Sequence, residues 1–315
     1  MNIIDIATLV NPALTPLSEL QARYQWGERN QKIFSRFLQL ESACLFPEAS
    51  LRQLLQGVLE KLLAKHPEKR GHIGYLAYAH SLHSTFPFAA NTLNEVAAQT
   101  LPVGVEIFSA TQNSCASSFN ALALLASQLR QHEAQTPCYA ILLTGDKCFH
   151  QTVQYVNQNG IFGEGCSALL LTTDASLPGC QVKGIGRAMI GGIGSRTRQS
   201  SRELENRYDH DFMPTMMRAV HRALQDAAIS PQQLSCILPY HMSPVTFDRI
   251  ADQLAIPRSR VMRDNLYRLG HCFCGDSFIN LHDYSFGQAA RATGYFLAVA
   301  AGVAGTFSAM VFERQ

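Results

Sequence analysis

Apolar positions along this chain repeat with two periods in turn, and that alternation predicts a layered α/β protein. NIIDIATLV (2–10) reads as an opening strand, and SLRQLLQGVLEKLLAKH (50–66) sets Leu51, Leu54, Leu55, Val58 and Leu62 on one side of a helix. HIGYLAYA (72–79) is a strand, SLHSTFPFAANTLNEVAAQT (81–100) a loop running into a helix, and VGVEIF (103–108) a short buried strand. A helix follows Cys115, with Phe119, Leu122, Leu124, Leu125 and Leu129 as its apolar face. CYAILLTGD (138–146) is again a strand, and GEGCSALLLTT (163–173) is a glycine-marked turn entering another. Residues 13–47 carry no clear period.

SLPGC (176–180) marks a seam, after which the pattern restarts. CQVKGIGRAMIG (180–191) is strand-like, DFMPTMMRAVHRALQDAAI (211–229) a strong helix, and LSCILPYHM (234–242) a strand ending at His241. TFDRIADQLAI (246–256) is a helix, FGQAARATGYFLAVAAGV (286–303) runs from helix to strand, and AGTFSAMVFE (304–313) closes the chain. Two α/β halves of similar size, 1–176 and 177–315, are therefore expected, although no sequence repeat is sharp enough to prove duplication.

Composition narrows the function. Apolar residues make up 47% of the 315 and charged ones only 16%, so the chain should bury much surface, a subunit interface included. Lys and Arg number 26 against 24 Asp and Glu, a formal net charge of +2 that implies neither a nucleic-acid footprint nor an acidic tail. MNIIDIATLVNPALTP lacks a positive leading region and meets Pro12 early, so it does not read as a signal peptide. No apolar run reaches the length of a membrane span. With 9 cysteines and no leader, a cytoplasmic protein with reduced thiols is expected.

Three residues stand where a predicted strand gives way to a loop or helix: Cys115 in ATQNSCASSFNALALLASQLR, His241 in LPYHMS and His271 in RLGHCFCGD. Side chains at strand ends converge in one crevice in α/β folds. Unpaired N–H groups at a helix start favour a thiolate, and a thiolate takes an acyl group from a thioester. An imidazole nearby can hold a thioester oxygen or move a proton. Gly302, with Gly305 in AAGVAGT, offers an N–H that beside that of Cys115 would form an oxyanion hole. Each has a plainer reading: a core cysteine, structural histidines, a packing glycine. HCFCGD with His282 has C-x-C rather than C-x2-C spacing and no second pair, so no metal is expected. GGIGSRTR and GIFGEGCSA match no phosphate loop. A cysteine hydrolase is the more serious rival.

These residues, in this order, resemble the thiolase superfamily and within it the beta-ketoacyl-acyl-carrier-protein synthase III group, from about residue 51 to the end. TQNSCASSFNALALLASQL is similar to that family's nucleophile turn and buried helix. FPFAANTLNEV is similar to the segment near its acyl pocket and dimer interface, with Phe86 matching the aromatic that reaches the partner subunit. GIFGEGCSALLLT resembles the F-G-D-G-A turn and strand, with Glu164 in place of the aspartate. LPYHMS stands in the place of P-H-Q-A-N, and GVAGTFSAMVFE resembles the terminal glycine-rich turn and strand.

The resemblance implies a thiolase-like layered αβαβα fold made of two similar halves. It implies Cys115 as acyl acceptor, His241 as a donor to the thioester oxygen and Gly302 in the oxyanion hole. The priming enzymes have Asn in G-N-T-S where this chain has His271, so its Cys-His-His set is closer to the chain-elongating synthases. It further implies a homodimer, an acyl carrier protein as partner, and an acyl-CoA or acyl-carrier-protein thioester as substrate with no permanently bound cofactor. The expected activity is condensation to a beta-ketoacyl product through an acyl-cysteine, in a specialised fatty-acid or polyketide-like pathway. The alternatives are a non-condensing acyltransferase acting on an alcohol or amine, and a non-catalytic partner subunit of a condensing enzyme.

Overall fold

Most of the strand segments are apolar on both faces, so those strands must lie between two layers. In the computed structural model, which describes residues 1–83, 90–132, 137–148, 150, 154–156, 160–191, 201–287, 293–303 and 305–314, they do. The strands are β1 (Asn2–Leu9), β2 (Ile73–Ala79), β3 (Glu106–Ala110), β4 (Tyr139–Thr144), β5 (Cys166–Thr172), β6 (Cys180–Met189), β7 (Leu234–Leu238), β8 (Gly294–Gly302) and β9 (Thr306–Arg314). They form a nine-stranded sheet in the order β7-β8-β9-β6-β1-β5-β4-β2-β3.

That order contains one pattern twice. From β1 outward, β1 and β5 are antiparallel, β5 and β4 antiparallel, β4 and β2 parallel. From β6 outward, β6 and β9 are antiparallel, β9 and β8 antiparallel, β8 and β7 parallel. The two sets meet where β1 pairs antiparallel with β6. The first set has one further strand, β3, parallel to β2.

The helices fill three layers. In the middle are α4 (Ser117–Gln131) and α7 (Asp276–Leu281). Ala140 and Leu142 of β4 and Phe296, Ala298 and Ala300 of β8 share a core with Phe119, Leu122, Leu125 and Phe278 of those helices. The alternate residues of β4, Ile141 and Leu143, pack outward with α2 (Leu51–Lys65) and α3 (Thr92–Thr100). Leu297 and Val299 of β8 pack outward on the other side with α5 (Ser201–Asp226) and α6 (Pro244–Gln253). The result is the expected layered αβαβα arrangement of two similar halves. The first half also carries α1 (Leu17–Tyr24), which seals a small satellite core of Leu20, Trp26, Phe34 and Ile161 over the segment without a period.

Local chemistry explains the helix ends and contacts. Ser50 and Gln53 close α2 with a reciprocal capping box. The α5 backbone lies directly on β6: a Cβ at Gly186 would fall 1.8 Å from the Ala219 carbonyl oxygen.

Three expectations shift. The strand expected at 103–108 is Glu106–Ala110, a half-exposed edge strand rather than a buried one, with Val103 fully exposed. Leu124, expected on an apolar face, is 53% exposed. α5 begins ten residues before the apolar period does, in a stretch, SRELENRYDH, that is mostly polar. Among the described residues, no helix is long and apolar enough to cross a membrane.

Candidate active site

The two central helices lie against each other, with the Phe119 and Phe278 rings edge to face at 5.9 Å. Both are entered by the same device. A single 3-10 turn precedes each, Ser114–Ala116 and Phe273–Gly275. Each turn opens on a non-glycine residue in the left-handed region, Ser114 at φ 49° and Phe273 at φ 54°. Such residues cost about 1–3 kcal/mol and persist only where the surroundings hold them. The first helical residue then folds its side chain back onto the N–H four positions earlier. Ser117 Oγ accepts from Asn113 N at 3.2 Å, and Asp276 Oδ1 accepts from Cys272 N at 2.6 Å.

These turns bring the candidate chemistry together. Cys115 Sγ lies 3.0 Å from His271 Nε2, and His271 Nδ1 is hydrogen-bonded to the Asp276 carboxylate. The His271 backbone is pinned on both sides, donating from its N to Ile161 O at 2.9 Å and accepting from Gly163 N at 2.9 Å. Phe162, Phe273 and Tyr240 surround its ring. Burial alone would lower the His271 pKa, but the charges of Asp276 and Cys115 outweigh it and raise it well above the usual imidazole value. The set is a thiol, an imidazole and a carboxylate in line, suited to moving a proton off the sulfur and back.

His241 is buried with them but faces elsewhere. Its Nδ1 lies 3.0 Å from both Gly270 O and Asp276 Oδ1, and its Nε2 lies 3.1 Å from Asn280 Oδ1. Asn280 is oriented by donating its Nδ2 to Pro239 O at 2.7 Å, so its Oδ1 faces the ring. Both ring nitrogens therefore meet oxygen acceptors, an arrangement that favours the protonated ring. Its pKa is raised accordingly, against the lowering effect of burial, by Asp276, Asn280 and Gly270. Burial works to raise the Asp276 pKa, but the two imidazoles hold it well below the usual carboxylate range. Asp276 also accepts from the His241 backbone N at 2.6 Å.

His241, Cys272 and Asp276 offer ligand atoms within 4.8 Å of one another. Both His241 ring nitrogens are hydrogen-bonded to oxygens, and burial pushes the Cys272 thiol well up; both work against metal ligation. His282 bonds to Asp283 and Thr8 instead.

Gly302, at the end of β8, sits directly on the Cys115 turn. A Cβ there would fall 2.4 Å from both Asn113 O and Thr306 Oγ1, so only glycine fits. Phe86 lies outside the described residues. Sequence reasoning passes over Asp276, Asn280, Ser81 and Asp146. Asp276 alone leaves a trace, as a lone charge entering the apolar run SFINL.

With this geometry established, comparison places the chain. The family described as 3-oxoacyl-[acyl-carrier-protein (ACP)] synthase III C terminal matches residues 224–314. No curated protein matches in sequence. Among solved structures, the ChlB3 acyltransferase superposes with a TM-score of 0.83 at 16% identity, over 99% of this chain and 97% of that one. Synthase III of Aquifex aeolicus VF5 gives 0.78 at 16% identity over 99% of both chains. A Xanthomonas campestris OleA variant with bound lauric acid and lauroyl-CoA gives 0.82 at 13% identity, over 99% of this chain and 98% of that one. The chain is a thiolase-fold protein resembling the synthase III enzymes, with residues 224–314 matching the C-terminal part of that family.

Proposed function

We propose that the chain is an acyltransferase that carries its acyl group as a thioester on Cys115 and passes it to a hydroxyl or an amine. The observation that supports this most is His271 bridging Cys115 and Asp276. In the first half-reaction His271 Nε2 takes the Cys115 proton, and the sulfur attacks the carbonyl of an acyl-CoA or acyl-carrier-protein thioester. The Cys115 and Gly302 N–H groups hold the oxyanion. The departing thiol then takes the proton from His271.

The acyl-enzyme is left with a neutral His271. Asp276 keeps the remaining ring proton on Nδ1, so Nε2 presents a lone pair. A lone pair serves a base: it takes the proton of an attacking hydroxyl or amine and returns it to the Cys115 sulfur as the ester or amide leaves. His241 acts through Asp276 as a positioning residue. No bound cofactor is required.

Condensation with a malonyl thioester is the second reading, favoured by the family match over 224–314. It calls for N–H donors to the second thioester carbonyl, which His241, turned onto Gly270, Asp276 and Asn280, does not supply. A non-catalytic partner subunit has no use for the Cys115–His271–Asp276 line. The reading extends to two halves divided at 176/177, a cytoplasmic protein and a specialised fatty-acid or polyketide-like pathway. It includes a homodimer joined along β3, where half-exposed Ile107 and Phe108 and exposed Leu124 border an edge strand. The family resemblance adds Phe86 to that interface.

Intact-mass analysis after incubation with a panel of acyl-CoA and acyl-carrier thioesters tests the first half-reaction, with Cys115→Ala as control. Release of the trapped acyl group is then compared for malonyl thioester, alcohols and amines. Release by malonyl thioester alone, with carbon dioxide evolved, replaces the first reading by the second.

A further inference from the structure

A second polar group reaches the Cys115 sulfur. Ser81, just beyond the end of β2, has its Oγ 3.2 Å from Cys115 Sγ. Its backbone is held by a buried carboxylate at the end of β4: Ser81 N donates to Asp146 Oδ2 at 3.0 Å and Leu82 N to Asp146 Oδ1 at 3.3 Å. His80 Nδ1 donates to Leu82 O at 2.7 Å and closes the same turn, while His80 N ties it to Ala110 O on β3. Four bonds thus fix the backbone of the turn that brings the Ser81 hydroxyl to the sulfur.

The hydroxyl has two sulfurs in reach, since Cys274 Sγ lies 3.5 Å away. Cys274 stands in its own turn where Cys115 stands in the other, each directly after the left-handed residue that opens its 3-10 segment. It is spoken for: its Sγ donates to Ser114 O at 3.3 Å, and burial pushes its thiol well up, so it stays protonated and neutral. A neutral thiol is a weak acceptor, whereas a thiolate takes a charge-assisted bond. Deprotonation of Cys115 therefore decides which sulfur receives the Ser81 proton.

We propose that Ser81 is a further catalytic residue, whose hydroxyl donates to the Cys115 thiolate and which Asp146 aims. The inference rests on the reading of Cys115 as nucleophile. It assigns the sulfur two partners with different tasks. His271 removes the proton, and Ser81 stabilises the charge left behind. The same bond serves the return step, when the sulfur leaves the acyl group as a thiolate. Cys274 from the turn before α7, Tyr208 from α5 and Tyr240 beyond β7 also interact with Cys115, and burial raises all three; Asp146, which holds the Ser81 backbone, is pushed up to about 7 by burial.

The test is the rate of Cys115 alkylation by iodoacetamide as a function of pH, located by peptide mass, in wild type, Ser81→Ala, Ser81→Thr and Ser81→Val. Thr and Val have the same shape and differ by the hydroxyl, so their comparison stands even where the alanine variant fails to fold. The proposal expects the midpoint of the Val profile to lie about one pH unit above that of Thr, with alkylation on the order of tenfold slower below it. Thr should stay close to wild type. Coincident Thr and Val profiles overturn the proposal. So does a Val profile that is slower at every pH with an unmoved midpoint, which marks a purely structural role. Alkylation needs no acyl donor: a Val shift in a protein that no thioester loads would leave Ser81 in place and remove the acyltransferase reading instead.

Discussion

The turn at Cys115 and the turn at Cys274 are two versions of one structure with different chemistry. Each enters a central helix through a left-handed non-glycine residue, each places a cysteine next, and each caps a backbone N–H with the side chain two positions on. In the first half that side chain is Ser117; in the second it is Asp276. The Ser117 hydroxyl caps without carrying charge. A carboxylate caps with one oxygen and has capacity left for His241 and His271. Two differences at equivalent positions, Gln112 against His271 and Ser117 against Asp276, give the second turn an imidazole and a carboxylate that the first turn lacks. The two cysteines differ for the same reason: Cys115 faces the imidazole that its partner turn supplies, while Cys274 faces a backbone carbonyl.

The comparison breaks most directly at the sulfurs. Cys115→Ala should abolish the acyl adduct outright, and Cys274→Ala should still form it. Mass spectrometry after exposure to an acyl-CoA decides between them. An adduct retained in Cys115→Ala and lost in Cys274→Ala would exchange the roles of the two turns.

Next in size is Asp276→Ser, which makes the cap of the second turn chemically like that of the first. The capping oxygen remains, but His271 loses the group that keeps its proton on Nδ1. The acylation rate should fall on the order of 10²-fold or more. His241 would also lose its buried carboxylate partner, and breaking such a buried pair costs about 3–5 kcal/mol. Single-turnover acylation and urea unfolding measure the two effects separately. Unchanged acylation in a folded Asp276→Ser protein would reduce Asp276 to a cap.

The same pair carries a pH signature that the first turn lacks. Asp276 has a lowered pKa, so its stabilisation is present above the ordinary carboxylate value of 3.8 and is lost as pH falls below it. His241 and His271 have raised pKa values, so theirs is present below the ordinary imidazole value of 6.5 and is lost as pH rises through the raised values. The cluster therefore contributes most between about pH 4 and 6.5. Asp146 works against it: burial, opposed by the Ser81 and Leu82 amides, pushes it up to about 7, so its contribution declines as pH rises towards that value. Unfolding free energies of wild type and Asp276→Ser from pH 3 to 9 should differ most inside the window and converge at its edges. A constant difference across the range would mean that the cluster does not titrate with folding.

Much of this was open to inference from the chain, and the reason for the rest is physical. Alternating apolar strands and amphipathic helices mark both halves because most strands are covered on two faces. Cys115 and His271 stand out because strand ends carry chemistry. The partners that decide what His271 does are hidden by distance and by burial. α7 has six residues, all buried, so it shows no amphipathic period and Asp276 does not read as a helix start. His241 sits where its motif predicts, but Gly270 and Asn280, which turn its ring, arrive from 29 and 39 residues away. Ser81 meets Cys115 across 34 residues, through a turn that Asp146 and His80 shape. The edge position of β3 is equally invisible, since VGVEIF is as apolar as a buried strand.

The smallest effect sharpens the comparison from its other side. Ser117→Ala removes the cap of the first turn and nothing else. The Asn113 N–H loses its acceptor at 3.2 Å, while Cys115 keeps both His271 and Ser81. Loss of a single hydroxyl cap costs about 0.5–2 kcal/mol. Because no ionisable group is touched, that loss should be the same at pH 5 and pH 8, unlike the loss in Asp276→Ser. The acyl adduct should form at nearly the wild-type rate, since Gly302 and Thr306 still brace the turn through Asn113 O. Urea unfolding at the two pH values and single-turnover acylation check both statements. A fall in acylation as large as that of Asp276→Ser would mean that Ser117 does more than cap, and that the two turns share chemistry as well as shape.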